Sequence, residues 1–257
     1  MHCTRKITDT VSWVGGSDRR LALFENLFPI PRGVAYNSYL IQDEKTALID
    51  TVDSSITRQF LENILHELNG KPLDYLVVNH MEPDHCANIG ELMIRFPGLK
   101  IVGNQKTFTF IRQFYNMMNL DGRTITVKEG DTLPLGQHTL RFCFAPMVHW
   151  PEVMMAYEES EHILFSADAF GSFGALNGNL FNDEVDFERD WLEDARRYYG
   201  NIVGKYGMQV QAALKKLSGV EIKMICPLHG PVWRSNFDYL LSKYDCWSCL
   251  LYTSRCV

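Results

Sequence analysis

The segment from Tyr75 to His85 constrains this chain more than any other. An apolar run, Tyr75-Leu-Val-Val78, leads directly into Asn79-His-Met-Glu-Pro-Asp-His85, so four metal-capable side chains fall within six residues. They are His80, Glu82, Asp84 and His85. The run has the composition of a buried strand, and functional groups are commonly displayed on the loop where such a strand ends. The pattern predicts a metal site on a strand-to-helix loop.

The spacing within this loop indicates two metal ions. His80 and Glu82 stand two apart in an extended segment and therefore point the same way. Pro83 restricts Glu82 to extended backbone and forces a turn before Asp84 and His85. The loop can thus present one pair of side chains to one metal and the other pair to a second.

Three further candidates lie where other apolar runs end, each within three residues of Gly or Pro: His149, Asp168 and His229. A single histidine in such a place is more often a hydrogen-bonded core or surface residue, and Asp168 alone fits a turn or a helix N-cap. Taken with the six-residue cluster, all three are predicted to be metal ligands.

Short apolar runs rich in β-branched and aromatic residues predict strands at Tyr36–Ile41, Thr46–Ile49, Tyr75–Val78, Lys100–Val102, Thr124–Val127, Thr139–Phe144, Val153–Tyr157 and His162–Phe165. Helical periodicity marks Ile56–Leu68, Ile89–Phe96 and Phe187–Leu217. The second helix has Asp84 at the N-cap position and ends at Pro97; the third segment forms one or two helices, broken near Gly200–Gly207. The mixture predicts one α/β domain in which two sheets pack face to face with helices outside.

Composition excludes several classes of protein. With 257 residues, 46% hydrophobic and 22% charged, the chain is an ordinary globular one. The net charge of −6, with no basic stripe, disfavours nucleic-acid binding. No leader sequence or membrane-spanning run is found, and seven widely spaced cysteines do not fit a disulfide framework. We expect a cytoplasmic protein.

The pattern H-x-E-x-D-H at 80–85, followed by His149, Asp168 and His229, resembles the metallo-β-lactamase superfamily, and specifically its flavodiiron branch. Glu82 distinguishes the flavodiiron branch from the zinc hydrolases of the superfamily, most of which carry His at that position. The resemblance covers residues 5–247 and includes the motifs Gly33-Val-Ala-Tyr-Asn-Ser-Tyr-Leu-Ile41, Ala47-Leu-Ile-Asp-Thr51, His149-Trp-Pro151, Ser166-Ala-Asp-Ala-Phe-Gly-Ser-Phe-Gly174 and Tyr198-Tyr199. It implies a metallo-β-lactamase-like αββα sandwich for residues 1–245.

The resemblance also implies a chemistry. One iron would be held by His80, Glu82 and His149, and the other by Asp84, His85 and His229, with Asp168 as the bridge. The counterpart of His85 does not ligate the metal in every family member. Flavodiiron proteins reduce dioxygen to water or nitric oxide to nitrous oxide. Their electrons pass from a donor such as rubredoxin through FMN, in a head-to-tail dimer where one subunit's flavin faces the other's irons.

A formal charge count shows why Glu82 favours iron. Two divalent metals bring four positive charges; Glu82, Asp84 and Asp168 bring three negative ones, and a bridging hydroxide balances the fourth. With His in place of Glu82 the site would keep one positive charge. Hard carboxylates favour iron over zinc, and the added negative charge stabilises ferric ions.

Several neighbours allow two interpretations. Asp50 either holds the ligand loop as an outer hydrogen-bond acceptor or is a turn residue. Trp150, Phe170 and Phe173 either wall the pocket, Trp150 as a cofactor contact, or are core aromatics. Tyr198 or Tyr199 either reaches the bound gas or packs a helix. Cys86 is interpreted as a core residue, and Cys246 with Cys249 is a weak metal or redox signal.

The chain departs from the family near Cys246. Flavodiiron proteins continue into a flavodoxin-like domain that binds the flavin, and the residues after Tyr244 are too few for one. Residues 246–257 form an atypical tail, and Cys249–Val257 resembles translated sequencing-adapter read-through. We therefore expect a fragment that binds two irons but shows negligible steady-state gas reduction with physiological donors.

Two alternatives remain open. One is a dinuclear zinc hydrolase, in which a metal-bound hydroxide attacks an ester, amide or phosphodiester. The other is a flavin-less scaffold or electron-transfer partner that binds metal without reducing gas. The sequence does not choose between dioxygen and nitric oxide, nor does it identify the electron donor.

Overall fold

The central strands run almost without interruption through Val, Ile and Leu, as expected for strands that are covered on both faces. A computed structural model describes residues 2–253. The strands are β1 Arg5–Lys6, β2 Val11–Trp13, β3 Gly16–Asp18, β4 Leu23–Phe24, β5 Phe28–Pro29, β6 Val34–Tyr36, β7 Tyr39–Gln42, β8 Thr46–Ile49, β9 Tyr75–Val77, β10 Lys100–Gly103, β11 Thr124–Thr126, β12 Thr132–Pro134, β13 Thr139–Phe144, β14 Met154–Glu158, β15 Ile163–Phe165 and β16 Met224–Cys226. The helices are α1 Thr57–Leu68, α2 Pro83–Cys86, α3 Ile89–Arg95, α4 Gln105–Phe114, α5 Phe187–Asp190, α6 Leu192–Tyr198, α7 Gly207–Leu217 and α8 Phe237–Thr253.

Two sheets dominate the described part of the chain. The first has the order β1-β2-β7-β8-β9-β10-β11, antiparallel up to β8 and parallel from β8 to β11. The second has the order β12-β13-β14-β15-β16, antiparallel except for the parallel pair β15 and β16. Two short hairpins, β3 with β6 and β4 with β5, lie outside them.

Successive residues of a strand point to opposite faces, and the burial pattern uses both faces. Val77 of β9 packs in a cluster that also contains Phe142 and Phe165 of the second sheet. Its neighbour Leu76 packs in another cluster, together with Phe60 of α1. One face of each sheet therefore covers the other sheet, and the opposite face is covered by helices. This arrangement confirms the predicted αββα sandwich.

The predicted N-cap at Asp84 is wrong. Two short helices follow β9 instead of one, with Glu82 at the N-cap of α2 and Asn88 at that of α3. Pro83 occupies the first position of α2, where its fixed φ and missing N–H are tolerated, so the helix begins before Asp84. Glu82 has the extended backbone that a following proline requires, with φ −62° and ψ 144°.

The break predicted near Gly200–Gly207 is present, because a π-helix at Tyr199–Val203 and a 3-10 turn at Gly204–Tyr206 separate α6 from α7. The tail differs from expectation in its first part, since α8 continues through Cys246 to Thr253. Residues 254–257 lie outside the described residues. Within residues 2–253, no helix is long and apolar enough to cross a membrane.

Candidate metal centre

The seven predicted ligands lie at one edge of the sandwich, and all seven are buried. β9 leads to the loop that carries His80 and Glu82 and then to α2, which carries Asp84 and His85, while β15 leads to Asp168. His149 lies between β13 and β14, and His229 follows β16. The structure therefore brings together residues from four separate stretches of sequence in one pocket.

The first group consists of His80, Glu82, His149 and Asp168, whose ligand atoms all lie within 4.8 Å of one another. The Glu82 Oε2 atom is 2.9 Å from His149 Nε2 and 3.3 Å from His80 Nε2. Met81, between His80 and Glu82, points the other way into the core. This alternation is the one expected for an extended segment, and it directs both ligands to the same point.

The second group consists of Asp84, His85 and His229. The Nε2 atoms of the two histidines are 2.9 Å apart, and Asp84 Oδ2 lies 3.3 Å from each of them. Three ligand atoms thus converge on one point beside the first group. His85, whose role the sequence left open, points its Nε2 atom into this group.

Asp168 joins the two groups. Its Oδ2 atom lies 3.1 Å from His149 Nε2 and 3.4 Å from His80 Nε2, in the first group. Its Oδ1 atom lies 3.2 Å from His85 Nε2 and 3.7 Å from His229 Nε2, in the second group. One carboxylate therefore offers one oxygen to each group, which is the geometry of a bridging ligand.

The donor set fits two hard or borderline cations. Neither oxygen of Asp84 nor Oδ1 of Asp168 has a hydrogen-bond partner among residues 2–253, although all three atoms are buried. Buried carboxylate oxygens without donors are costly unless a cation satisfies them. Four imidazoles and three carboxylates, with no cysteine in either group of the described chain, are typical of iron or zinc rather than of copper(I) or an iron–sulfur cluster.

The carboxylates create a negative field that favours cations. Burial lowers the pKa of His149, but hydrogen bonds with Asp168 and Glu82 outweigh it and raise that pKa to about 9. At His85 burial is likewise outweighed, chiefly by the charges of Asp84 and Asp168, and the pKa rises to about 8. Burial opposes ionisation of Asp168, yet the neighbouring imidazoles hold its pKa well below its ordinary value.

Hydrogen bonds from outside the two groups fix several ligands. Asp50 Oδ1 accepts the backbone N–H groups of Asn79 at 2.7 Å and His80 at 3.1 Å, so Asp50 does hold the ligand loop. His229 Nδ1 lies 2.7 Å from the carbonyl oxygen of Ala35. Sequence reasoning missed Glu152, whose Oε1 atom is 2.8 Å from His80 Nδ1.

Two residues next to predicted ligands have backbone conformations with positive φ. Gly230, after His229, has φ 74°, and a Cβ atom there would lie 2.9 Å from the Cβ atom of Ser172. Ala167, before Asp168, has φ 52° without being glycine. Such conformations are costly and are concentrated at functional sites.

Some of the aromatic residues near the two groups line the pocket, and others belong to the hydrophobic core. Trp150, partly exposed, makes edge-on contacts with the rings of His80 at 5.5 Å and His149 at 6.3 Å. Tyr198 lies 5.4 Å from the His229 ring, and its buried hydroxyl has no hydrogen-bond partner in the described part of the chain. Phe173 packs against Tyr198, one layer further out.

Phe170 and Tyr199 both pack against Tyr244 of α8 and are core residues. Cys86 is also a core residue, as predicted.

A cavity of about 290 Å³ opens onto the centre, lined by Leu21, Leu23, Phe24, Glu25, Asn26, Tyr36, Asp53, Glu82, Pro83 and Asp84. A hydrogen bond with Glu82, together with desolvation, raises the pKa of Glu25 to about 8. Glu25 lies on the hairpin loop between β4 and β5, and nothing in the local sequence marks it as a site residue. The cavity is large enough for a small substrate.

The family model described as "ODP family beta lactamase" matches residues 34–230. Among curated proteins, the anaerobic nitric oxide reductase flavorubredoxin of Aliivibrio salmonicida (strain LFI1238) is 38% identical over 249 residues, which make up 95% of this chain and 49% of that protein. The chain thus spans about half the length of the curated relatives it matches.

Two solved structures resemble this one with TM-scores of 0.90 each. The flavodiiron protein from Giardia intestinalis is 30% identical, and the match covers 96% of this chain and 59% of that one. The rubredoxin oxygen:oxidoreductase from the anaerobe Desulfovibrio gigas is 32% identical, and the match covers 96% of this chain and 61% of that one.

Proposed function

Since this chain belongs to the ODP family of β-lactamase-like proteins, we propose that it is the di-iron domain of a flavodiiron oxidoreductase, which reduces dioxygen to water, nitric oxide to nitrous oxide, or both. In this proposal His80, Glu82 and His149 hold one iron, and Asp84, His85 and His229 hold the other. Asp168 bridges the two. The names of its relatives, which are reductases of nitric oxide or oxygen, support this function over a zinc hydrolase.

The observation that carries the proposal is the position of Asp168 between two groups of ligand atoms. Each of its oxygens lies within 3.2 Å of a histidine Nε2 atom on its own side. Glu82 adds a second carboxylate to the first group, at a position where most zinc hydrolases of the metallo-β-lactamase superfamily carry histidine. Three buried carboxylates therefore stabilise the extra positive charge of the ferric state.

The iron pair, when bound, supplies one electron per ferrous ion to the gas. The chain's own residues prepare the pocket for this reaction. Trp150, Phe24 and Tyr198 surround the histidines with apolar ring surface and limit the access of water. The cavity lined in part by Glu82 and Asp84 gives a small molecule access to these two carboxylates.

Sustained turnover needs electrons. We assign their delivery to FMN on a flavodoxin-like domain, arranged in a head-to-tail dimer and supplied by a rubredoxin-type donor. Trp150 is the proposed flavin contact, because its indole touches two ligand histidines and remains partly exposed. The relatives' names, flavorubredoxin and rubredoxin oxygen:oxidoreductase, support this kind of donor.

A single-turnover experiment tests the centre without requiring a flavin. The chain is expressed in iron-rich medium, its metal content is measured, and the diferrous form is mixed anaerobically with dioxygen or nitric oxide in a stopped-flow instrument. We expect two irons per chain and rapid loss of the diferrous state with at least one gas. Asp168→Asn should hold at most one iron, because the shared carboxylate is lost. Two zinc ions per chain with esterase activity would instead establish a hydrolase.

A further inference from the structure

Glu152 is a fully buried acid that contacts the Nδ1 atom of His80, on the opposite side of the ring from the other candidate ligands. Its Oε1 atom accepts hydrogen bonds from His80 Nδ1 and from the backbone N–H of Met81, both at 2.8 Å. A carboxylate accepts hydrogen bonds, so His80 carries its proton on Nδ1. His80 Nε2 is thereby left free to point at Glu82 and Asp168.

Glu152 also joins two ligand loops. It lies three residues after His149, and its backbone carbonyl accepts a hydrogen bond from the Asn104 side chain at 2.6 Å. The same residue is therefore anchored beside α4, belongs to the loop of His149, and holds the loop of His80. A change at Glu152 acts on one metal site through two of its ligands.

In the other metal site, neither histidine has its Nδ1 atom hydrogen-bonded to a carboxylate within residues 2–253. His229 Nδ1 donates to the neutral carbonyl of Ala35 at 2.7 Å. The Nδ1 atom of His85 is buried and makes no hydrogen bond within residues 2–253. Among His80, His85 and His229, only His80 therefore donates a hydrogen bond from its Nδ1 atom to a carboxylate.

We propose that Glu152 is a positioning residue that makes the two metal sites electronically unequal. A carboxylate hydrogen-bonded to Nδ1 raises the basicity of the imidazole, and a more basic ligand stabilises a ferric ion over a ferrous one. The iron held by His80, Glu82 and His149 then has the lower midpoint potential and loses its electron first, to the mediator or oxidant present. This inference rests on the proposed di-iron function.

Redox titration of Glu152→Gln tests it. Glutamine keeps an oxygen that can accept both hydrogen bonds but removes the negative charge. The lower of the two midpoint potentials, followed by the EPR signal of the mixed-valence form, is expected to shift upward, and the gap between the two potentials should narrow. An unchanged lower potential in a variant that retains both irons overturns the proposal.

The chain offers a matched control. Glu158 is another fully buried carboxylate paired with a histidine, His138, at 3.0 Å, and neither belongs to the two groups described above. Glu158→Gln is expected to lower the stability of the protein and to leave both potentials unchanged. If it shifts the lower potential as much as Glu152→Gln does, the effect is not specific and the proposal fails.

A second variant covers a failure of Glu152→Gln to fold. Glu152→Asp keeps the charge but shortens the reach by one methylene, so its lower midpoint potential should lie above that of the parent. Iron affinity should fall by about 10–100-fold in Glu152→Ala, which loses both hydrogen bonds. An aspartate variant with the parent's potentials and an alanine variant with the parent's iron affinity would each contradict the assignment.

Metal analysis of the parent chain separates the two proposals. If it binds zinc, or fewer than two irons, the proposed function fails and the potentials do not arise. The other outcome is a parent chain that binds two irons with two measurable midpoint potentials. If Glu152→Gln then leaves both potentials unchanged, the di-iron function stands and only the role of Glu152 is rejected.

Discussion

Glu82 and Asp168 both approach the His149 imidazole, and each carboxylate has an oxygen within 3.1 Å of its Nε2 atom. The first site therefore has more negative charge at short range than three imidazoles would give it. At the scale of single residues, this charge supports the proposal that the centre holds an ion that changes its oxidation state.

Glu82→His should move the metal preference from iron toward zinc, because it replaces an anionic oxygen ligand with a neutral nitrogen. We expect the iron-to-zinc ratio to fall by about tenfold, equivalent to ~1.4 kcal/mol of relative binding free energy. Elemental analysis after growth with equal iron and zinc measures it. Glu129→His, on the exposed surface, is the control and should leave the ratio unchanged. An unaltered ratio in Glu82→His would contradict the charge argument.

Asp18 provides a pH-dependent contribution to stability away from the centre. Hydrogen bonds from the Arg20 side chain, acting against burial, lower its pKa to about 2, whereas an unfolded aspartate has a pKa of about 3.9. Because the folded pKa is the lower one, the stabilisation is complete above pH ~4 and is lost as the pH falls toward ~2.

The difference in unfolding free energy between the parent and Asp18→Asn should therefore be constant near neutral pH and shrink through that window. The pH-dependent part of this difference should not exceed about 1 kcal/mol, because the Arg20 side chain is 73% exposed and solvent screens the pair. Denaturant titrations at a series of pH values measure it. A difference that persists undiminished at pH 2 would show that the ion pair is not its source.

At the residue scale, the sequence predicted the seven side chains that the structure brings together, because their types and spacing are unusual. It did not predict that Glu152 and Glu25 lie beside them. Glu152 stands before an apolar strand, where an acid fits an exposed strand end equally well. Glu25 lies in a short hairpin loop whose position over the pocket depends on contacts remote in sequence. Their placement depends on tertiary packing, which no local pattern encodes.

Among the elements, α4 links the helix layer to the ligand loops. The Asn104 side chain caps α4 by accepting the backbone N–H groups of Lys106 and Thr107, and it also donates to the carbonyl of Glu152. Asn104→Ala should lower the free energy of unfolding by about 0.5–2 kcal/mol, the usual cost of a lost cap. Chemical denaturation measures this loss.

Asn104→Asp separates the two roles of this residue. Aspartate caps a helix as well as asparagine does but cannot donate to Glu152, so the loss should be smaller than in the alanine variant. Equal losses in the two variants would mean that the bond to Glu152, and not the cap, carries the effect.

The strands β8 to β11 and β13 to β15 were predicted with ends that agree within one residue. The single strand predicted at Tyr36–Ile41 is wrong, because β6 and β7 lie in different sheets and the Asn37 N–H between them donates to the carbonyl of Leu228. The strands β4 and β5 have two residues each and are too short for any periodicity. α4 was missed because its inward face is narrow, with Thr107, Phe108 and Ile111 as its buried residues.

For the whole molecule, packing between the two sheets supports a site that lies at their edge. Phe142 of β13 is fully buried between the sheets. Phe142→Ala should cost about 3–5 kcal/mol of unfolding free energy through lost burial and a new cavity. Metal content under native conditions should be unchanged, because the residue contacts no ligand of the centre.

Phe114→Ala is the comparison for this variant, since Phe114 is 46% exposed at the end of α4. Its loss should stay within about 0.5 kcal/mol, as for most surface substitutions. Denaturation of the metal-free proteins compares the two. Similar losses at both positions would contradict the role of Phe142 between the sheets.

The candidate ligands are far apart along the chain, so the ribosome synthesises the two groups at different times. The last residue of the first group, Asp168, is polymerised 61 residues before His229, a delay of about 3–12 s at ordinary ribosomal speed. A nascent chain therefore holds every ligand of the first group while the second still lacks one. The two groups of candidate ligands are therefore completed one after the other during synthesis.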